Sequence, residues 1–399
     1  MSFFGSKPYI VGVVTLGIFT DSFAYAVCIS MFPFVVQKFG DDKDVGILIS
    51  CFSIGLLLGS IVFGILGDVL NKRRTMAGGL VILAASTILM ALVEEYWSLA
   101  IGRFVQGFSS GSIWVVGLAL IVDSHNKEEL GFAMSIPFTG YTLGTLVGPL
   151  AGGYLYKYGY SVPFYSTLGL ICIDLIGRLL LKDPPAQVQT ENITFIDFIK
   201  GLPKNKPLVI ILTCTLLVGT VIGSLEVSMS LYLRDRYGFS SDQIGLGFLA
   251  IVIPETLTSP IGGWMYDKYG FGKTAVVGLI GSAGLLIALG FNFTYWVFVI
   301  ILVFMTSCYS LALSPLLPEI STCVSPAAYS KTYGLFNCVF GGGFLVGPFV
   351  GSLLYQYFGW LWQCVMLSAL TLLQIMLVYY YIVLARNSKV IEPEVPLQV

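Results

Sequence analysis

The chain has 399 residues, of which 56% are hydrophobic and only 11% charged, with a formal net charge of −1. Soluble domains carry about 25% charged residues, so a water-soluble globule is excluded and the long apolar runs must face lipid. Lipid admits only helices and closed barrels as spanning structures, and the alternating polar pattern of a barrel is absent. The balance of charge gives no footprint for nucleic acid. The eight cysteines are scattered through apolar runs without CxxC or CxxH spacing, so no metal site, disulfide framework or cofactor is expected.

A span needs about 20 apolar residues. Twelve runs qualify, at 9–36, 45–67, 75–93, 97–122, 131–155, 162–182, 207–232, 242–266, 274–292, 296–320, 328–355 and 359–384. The expected fold is an all-α polytopic membrane protein of two pseudo-symmetric six-helix bundles, 1–182 and 207–386. A cytoplasmic connector, 183–206, joins them, and a tail, 387–399, follows. The first run has a span's length and no small-residue cleavage site, so it reads as a retained helix and not a signal peptide.

The first span holds Asp21 twelve residues in, roughly 18 Å at about 1.5 Å per residue. That is near the centre of a hydrocarbon core about 30 Å thick. No cation of the same helix reaches it, and Tyr25, four residues on, can donate to it. Asp21 either binds a cation or proton from a cavity, or is a structural carboxylate hydrogen-bonded to neighbouring helices.

Between spans two and three lies Gly64-Ile-Leu-Gly67-Asp68-Val-Leu-Asn-Lys72-Arg73-Arg74-Thr75. The chain repeats it at Gly263 to Thr274, with Asp267 and Lys268; Asp68 and Asp267 are 199 apart (267 − 68). Asn71 stands where the second copy has Gly270, again 199 apart (270 − 71), and asparagine tolerates the left-handed turn conformation. In span four, Arg103, Gln106 and Ser110 share one face, where the arginine either contacts substrate or pairs with a carboxylate.

Span five carries Gly140, Gly144, Gly148 and Gly152 at a spacing of four, with Pro149 kinking it. Such small-residue ridges let helices approach closely. Gly347-Pro348 in span eleven repeats Gly148-Pro149, again at 199 (347 − 148). Two landmarks at one offset make the halves repeats of each other. Asp174 and Arg178 in span six are an i, i+4 pair. His125 falls in a loop and reads as solvated.

In the connector, Phe195, Phe198, Ile199 and Leu202 have helical spacing, which predicts a short amphipathic surface helix. In the second half, Glu226 of span seven lies between Ser224 and Ser228 and is the second candidate for proton or substrate. Glu255 follows Pro254 in span eight, and a proline leaves a carbonyl free nearby. Glu319, near the end of span ten, reads as a gate or surface residue. The sequons at Asn192 and Asn292 are not expected to carry sugar. With both termini in the cytoplasm, fourteen cations fall on the inside and five outside, which favours that orientation.

Together these features resemble the major facilitator superfamily. Gly64 to Thr75 is similar to its inner-loop signature. Arg103-Phe-Val-Gln106-Gly107 resembles the span-four signature of proton-coupled members. Gly144-Thr-Leu-Val-Gly148-Pro149-Leu-Ala-Gly152 resembles the span-five signature of antiporters. Within the superfamily the chain looks most like the twelve-span drug:proton antiporters, above all their vesicular amine branch, through Asp21 with Pro33 and Leu225-Glu226. It departs from that branch at Phe52, Ser307 and Asn337, where a lysine and two aspartates are usual.

The resemblance implies a transporter, not an enzyme, that exchanges protons for an organic cation or drug-like molecule. With the in-span charges and donors read above, the candidates for binding or coupling are Asp21, Tyr25, Arg103, Gln106, Glu226, Glu255 and Asn337. A monomer in the plasma membrane or a vacuolar or vesicular membrane is expected. Two alternatives stay open: a uniporter or symporter of a neutral solute, and a sensor or scaffold that keeps the fold without transport.

Overall fold

The computed structural model describes residues 5–125, 127–181, 201–291, 293–324 and 329–388. Most of the predicted connector helix and both sequon asparagines, Asn192 and Asn292, lie outside the described residues; Leu202 sits in a short 3-10 turn, Leu202–Lys204.

Among the described residues, ten helices are long and apolar enough to cross a membrane. One of them, Gly334–Leu384, runs 51 residues and breaks at Gly359, whose φ of 80° only glycine adopts cheaply. It therefore makes two crossings. The 30-residue helix Lys127–Tyr156 supplies the remaining one. Twelve crossings result, at the places the apolar runs predict.

Three spans are not plain rods. The fourth runs from Tyr96 to Ser124 but is π-helical over Ser112–Gly117. The eighth is divided into Ser241–Gly247 and Leu249–Tyr269. The tenth is divided into Tyr295–Leu313 and Leu316–Thr322, with Pro315 between them.

The chain packs as two units. The first comprises Met1–Val188, Glu226–Leu249 and Pro348–Leu353; the second comprises Gln189–Leu225, Ala250–Gly347 and Leu354–Val399. In the first unit, the glycine ridge of span five lies on span one. A Cβ at Gly144 would sit 2.8 Å from the Phe19 carbonyl oxygen and 2.7 Å from Ser22 Cβ, and one at Gly148 2.6 Å from Ala26 Cβ. Spans two and four meet the same way, where Gly55, Gly59, Gly107 and Gly111 bring backbone against backbone. In the second unit, Gly343 and Gly347 of span eleven lie on Leu216, Thr220 and Ser224 of span seven. The internal repeat thus recurs as packing, span five on span one and span eleven on span seven.

Between spans two and three, Asn71 is not left-handed. It has φ −62° and ψ 122° and caps the third helix, its side-chain oxygen accepting from the Arg74 N–H at 3.2 Å. An asparagine that can satisfy an orphan helix donor has no need of the turn conformation expected of it. Gly270, in the second copy, does adopt the left-handed region at φ 82°, so the repeats turn by different chemistry.

Candidate functional site

Span one, Lys7–Val36, is buried along most of its length and carries Asp21 at its middle, 3% exposed. Two donors from span four satisfy the carboxylate. The Ser110 hydroxyl donates to Oδ1, and Trp114 Nε1 donates to Oδ2 at 3.0 Å. Tyr25 does not donate to Asp21. Its hydroxyl reaches Oε2 of Glu226 at 3.1 Å, because span four already fills the carboxylate and span seven brings a second acceptor to the tyrosine. The pairing of Tyr25 with Asp21 expected from helical spacing is thus corrected.

Arg103 is fully buried, and its guanidinium lies among three rings: Tyr25 at 5.0 Å, Phe32 at 5.6 Å and Phe52 at 4.9 Å. Nη1 donates to Gln106 Oε1 at 2.7 Å and, more weakly, to the Tyr25 carbonyl at 3.4 Å. Nε and Nη2 have no hydrogen-bond partner among the described residues. Gln106 is therefore a positioner of Arg103, and the face shared by Arg103, Gln106 and Ser110 is real. Phe52 packs against Tyr25 with ring centres 4.8 Å apart and planes tilted by 51°, and helps to enclose the guanidinium.

Further along the first unit, Arg234 donates to the Pro33 carbonyl at 2.6 Å and pairs with Asp42 and Asp235, each at 2.7 Å. Lys157 pairs with Asp242 at 2.7 Å, and Ser241 donates to the Gly153 carbonyl. Asp174 and Arg178 form a buried two-pronged pair, at 3.0 and 2.5 Å, and Arg178 Nη1 also donates to the Met76 carbonyl at 2.7 Å. His125 is not solvated: at 8% exposure it folds back on the Ile121 carbonyl and the Ser124 hydroxyl. A helix end that leaves carbonyls unpaired draws the ring inward.

In the second unit, Pro254 frees the Ala250 carbonyl, and Thr306 of span ten reaches it at 3.4 Å. Ser310 donates to the Glu255 carbonyl at 2.9 Å, so spans eight and ten are laced along the stretch that carries Glu255. Buried Gln374 donates to the Cys214 carbonyl at 3.3 Å. Asn337 lies half-buried on span eleven beside the ring pair of Phe336 and Phe340. Glu319 is no free surface group: Tyr266 donates to it at 3.0 Å and Tyr381 donates to its other oxygen.

The basic turn is tied within the first unit by Lys72, which pairs with Asp123, and by Arg73, which donates to the Leu179 carbonyl. A Cβ at Gly67 would press Val116 at 2.9 Å, whereas at Gly64 the nearest atom is 3.8 Å away. The Asp68 side chain lies outside the described residues. In the second copy, Lys268 stands over Trp264 at 4.9 Å and Tyr269 at 5.2 Å, next to Asp267.

Sequence reasoning missed Trp114, Asp123 and the two tyrosines on Glu319. Trp114 carried a usable signal, since it lies four residues beyond Ser110. An isolated tryptophan in an apolar run reads as core, and no pattern announced the π-helical turn that aims it.

Residues 14–240 match the Major Facilitator Superfamily, and residues 211–397 match it again. The chain belongs to that superfamily. It is a membrane transporter, and the repeated match follows the internal repeat. Among its relatives is an MFS-type transporter of Schizosaccharomyces pombe, 23% identical, with 92% of this chain and 93% of the relative covered. The human MFS-type transporter SLC18B1 is 23% identical over 85% of this chain and 78% of its own. The synaptic vesicular amine transporter of Bos taurus is 25% identical over 84% and 66%. Among solved structures, the fold is similar to a bacterial homolog of the human lysosomal transporter Spinster in an inward-facing, occupied conformation. The TM-score is 0.82 at 15% identity, with 96% of this chain and 98% of that one covered. This superfamily member thus carries Asp21, Arg103 and Glu226 on a transporter scaffold.

Proposed function

We propose that the chain is a proton-coupled antiporter that exports or sequesters an organic cation or drug-like amphipathic molecule by alternating access. Two six-helix bundles, 1–182 and 207–386, rock about a central site, with both termini in the cytoplasm. The observation that supports this reading best is Asp21. A carboxylate in the middle of a span is costly unless it serves a cavity or a partner, and both of its hydrogen-bond partners are neutral. It is free to exchange them for a proton or a cation. Glu226, reached from the same helix through Tyr25, is the second acceptor. The vesicular amine transporter among the relatives is consistent with a cationic cargo.

One pH unit supplies about 1.4 kcal/mol, and 100 mV about 2.3 kcal/mol per net charge moved. Either concentrates a substrate tenfold or more. The membrane is the plasma membrane or a vacuolar or vesicular one, and the transporter works as a monomer. Uptake of a panel of organic cations into proteoliposomes, with and without a pH gradient, tests the proposal. Gradient-driven uptake that Asp21→Asn abolishes is expected. Flux that ignores the gradient and survives Asp21→Asn points to a neutral-solute uniporter and overturns it.

A further inference from the structure

Asp21 is buried, and a tryptophan is one of the two side chains that hold its carboxylate. Ser110 and Trp114 hold its two oxygens from a single helix, and only 3% of the residue is exposed. The indole is set by an irregular backbone, because Ser112–Gly117 is π-helical. Such segments interrupt regular helices at some cost and gather at functional sites. Trp114 itself is half-buried. Its ring meets Tyr141 edge-on at 5.8 Å and Phe138 at 6.2 Å, both from span five, and Phe138 is 38% exposed. The aromatic group thus runs from the carboxylate, at the indole N–H, to the exposed Phe138 ring.

The chemistry of the seal is reversible. A neutral indole N–H is a weaker donor to a carboxylate than a cation is. An aromatic ring beside a carboxylate, with two more rings behind it, also suits an organic cation, through cation–π attraction. We propose that Trp114 is the gate over Asp21. Its N–H holds the carboxylate closed when the site is empty, and it yields to an arriving proton or organic cation. Its ring, with Tyr141 and Phe138, then walls the cation. The inference rests on the reading of Asp21 as the exchanging carboxylate, and it adds the residue that controls access to it.

Dicyclohexylcarbodiimide, an apolar reagent that adds to carboxyl groups, serves as the probe, and it needs no known substrate. The full-length protein in proteoliposomes is labelled over time, and modification of Asp21 is read by peptide mass spectrometry, with buried Asp174 as the internal reference. Trp114→Ala removes both the ring beside the carboxylate and one hydrogen bond to a charged group, and it is expected to speed Asp21 labelling about tenfold or more. Trp114→Phe keeps a ring, drops the donor and folds where alanine does not; it is expected to speed labelling by a smaller factor. Ser110→Ala also removes a donor to the carboxylate but leaves the indole in place, and it is expected to speed labelling less than Trp114→Ala does. Asp174 labelling stays constant throughout. Wild-type labelling rates at Asp21 in both tryptophan variants overturn the gate, as does an equal rise at Asp174, which marks general loosening. Flux that survives Asp21→Asn defeats the antiport reading instead, and the two failures are separate.

Discussion

The Tyr25 hydroxyl donates to Glu226 Oε2 at 3.1 Å, joining side chains 201 positions apart. It links the first-span and seventh-span candidates directly. A hydrogen bond to a charged group contributes about 1.5–3 kcal/mol, so Tyr25→Phe is expected to slow proton-driven uptake about tenfold. Glu226→Gln is expected to slow it more. If the tyrosine acts through the glutamate, the double variant is no worse than Glu226→Gln alone, since residues in one network do not add. Initial uptake rates for the four proteins close this cycle, and simple additivity would separate the two roles.

Much of this arrangement was legible in the residues. The twelve crossings, the repeat at 199, the glycine ridges and the shared face of Arg103, Gln106 and Ser110 follow from period and composition, which packing preserves. Pairings between helices did not follow. Helical spacing put Tyr25 beside Asp21, but the partner was decided by Ser110 and Trp114, 89 and 93 residues away. Asn71 shows the same limit on a smaller scale, because cap and left-handed turn are both open to asparagine until a helix offers it a donor. The environment of Glu319 needed three helices to be placed together before two tyrosines met it.

Arg103 gives a second prediction. Its guanidinium lies over the Tyr25 and Phe52 rings, 5.0 and 4.9 Å from their centres, and donates to Gln106 at 2.7 Å. Lysine is a point charge with no planar fork to fill that space. Arg103→Lys is expected to keep the fold and cut transport more than tenfold, whereas Gln106→Ala is expected to do so by less. Size-exclusion profiles with uptake rates check this; wild-type transport by Arg103→Lys would reduce the site to a requirement for charge.

The Asp174–Arg178 pair is predicted to be structural. Removing one partner of a buried pair costs about 3–5 kcal/mol, because the other charge is stranded, while apolar replacement of both is often neutral. Arg178 also donates to the Met76 carbonyl, so some of that cost remains in the double variant. Asp174→Ala and Arg178→Ala are each expected to lower the melting temperature in detergent, and Asp174→Leu with Arg178→Met is expected to recover most of it. A double variant that is stable but transports nothing would instead mark the pair as part of the mechanism.

The glycines divide into two kinds, and a single experiment separates them. At Gly144 a Cβ meets the Phe19 carbonyl oxygen at 2.8 Å and the Phe23 nitrogen at 2.9 Å. These are backbone atoms of span one and cannot swing aside. Overpacking there costs about 1–3 kcal/mol, so Gly144→Ala is expected to lower the melting temperature and transport together. At Gly64 the nearest atom to a Cβ is 3.8 Å away, and alanine favours a helix by about 1 kcal/mol over glycine. Gly64→Ala is therefore expected to melt at or above the wild-type temperature. If transport falls in Gly64→Ala without a fall in melting temperature, the glycine serves the switching of the basic turn beside Lys72 and Arg73. If transport is unchanged, its place in the signature carries no function in this chain.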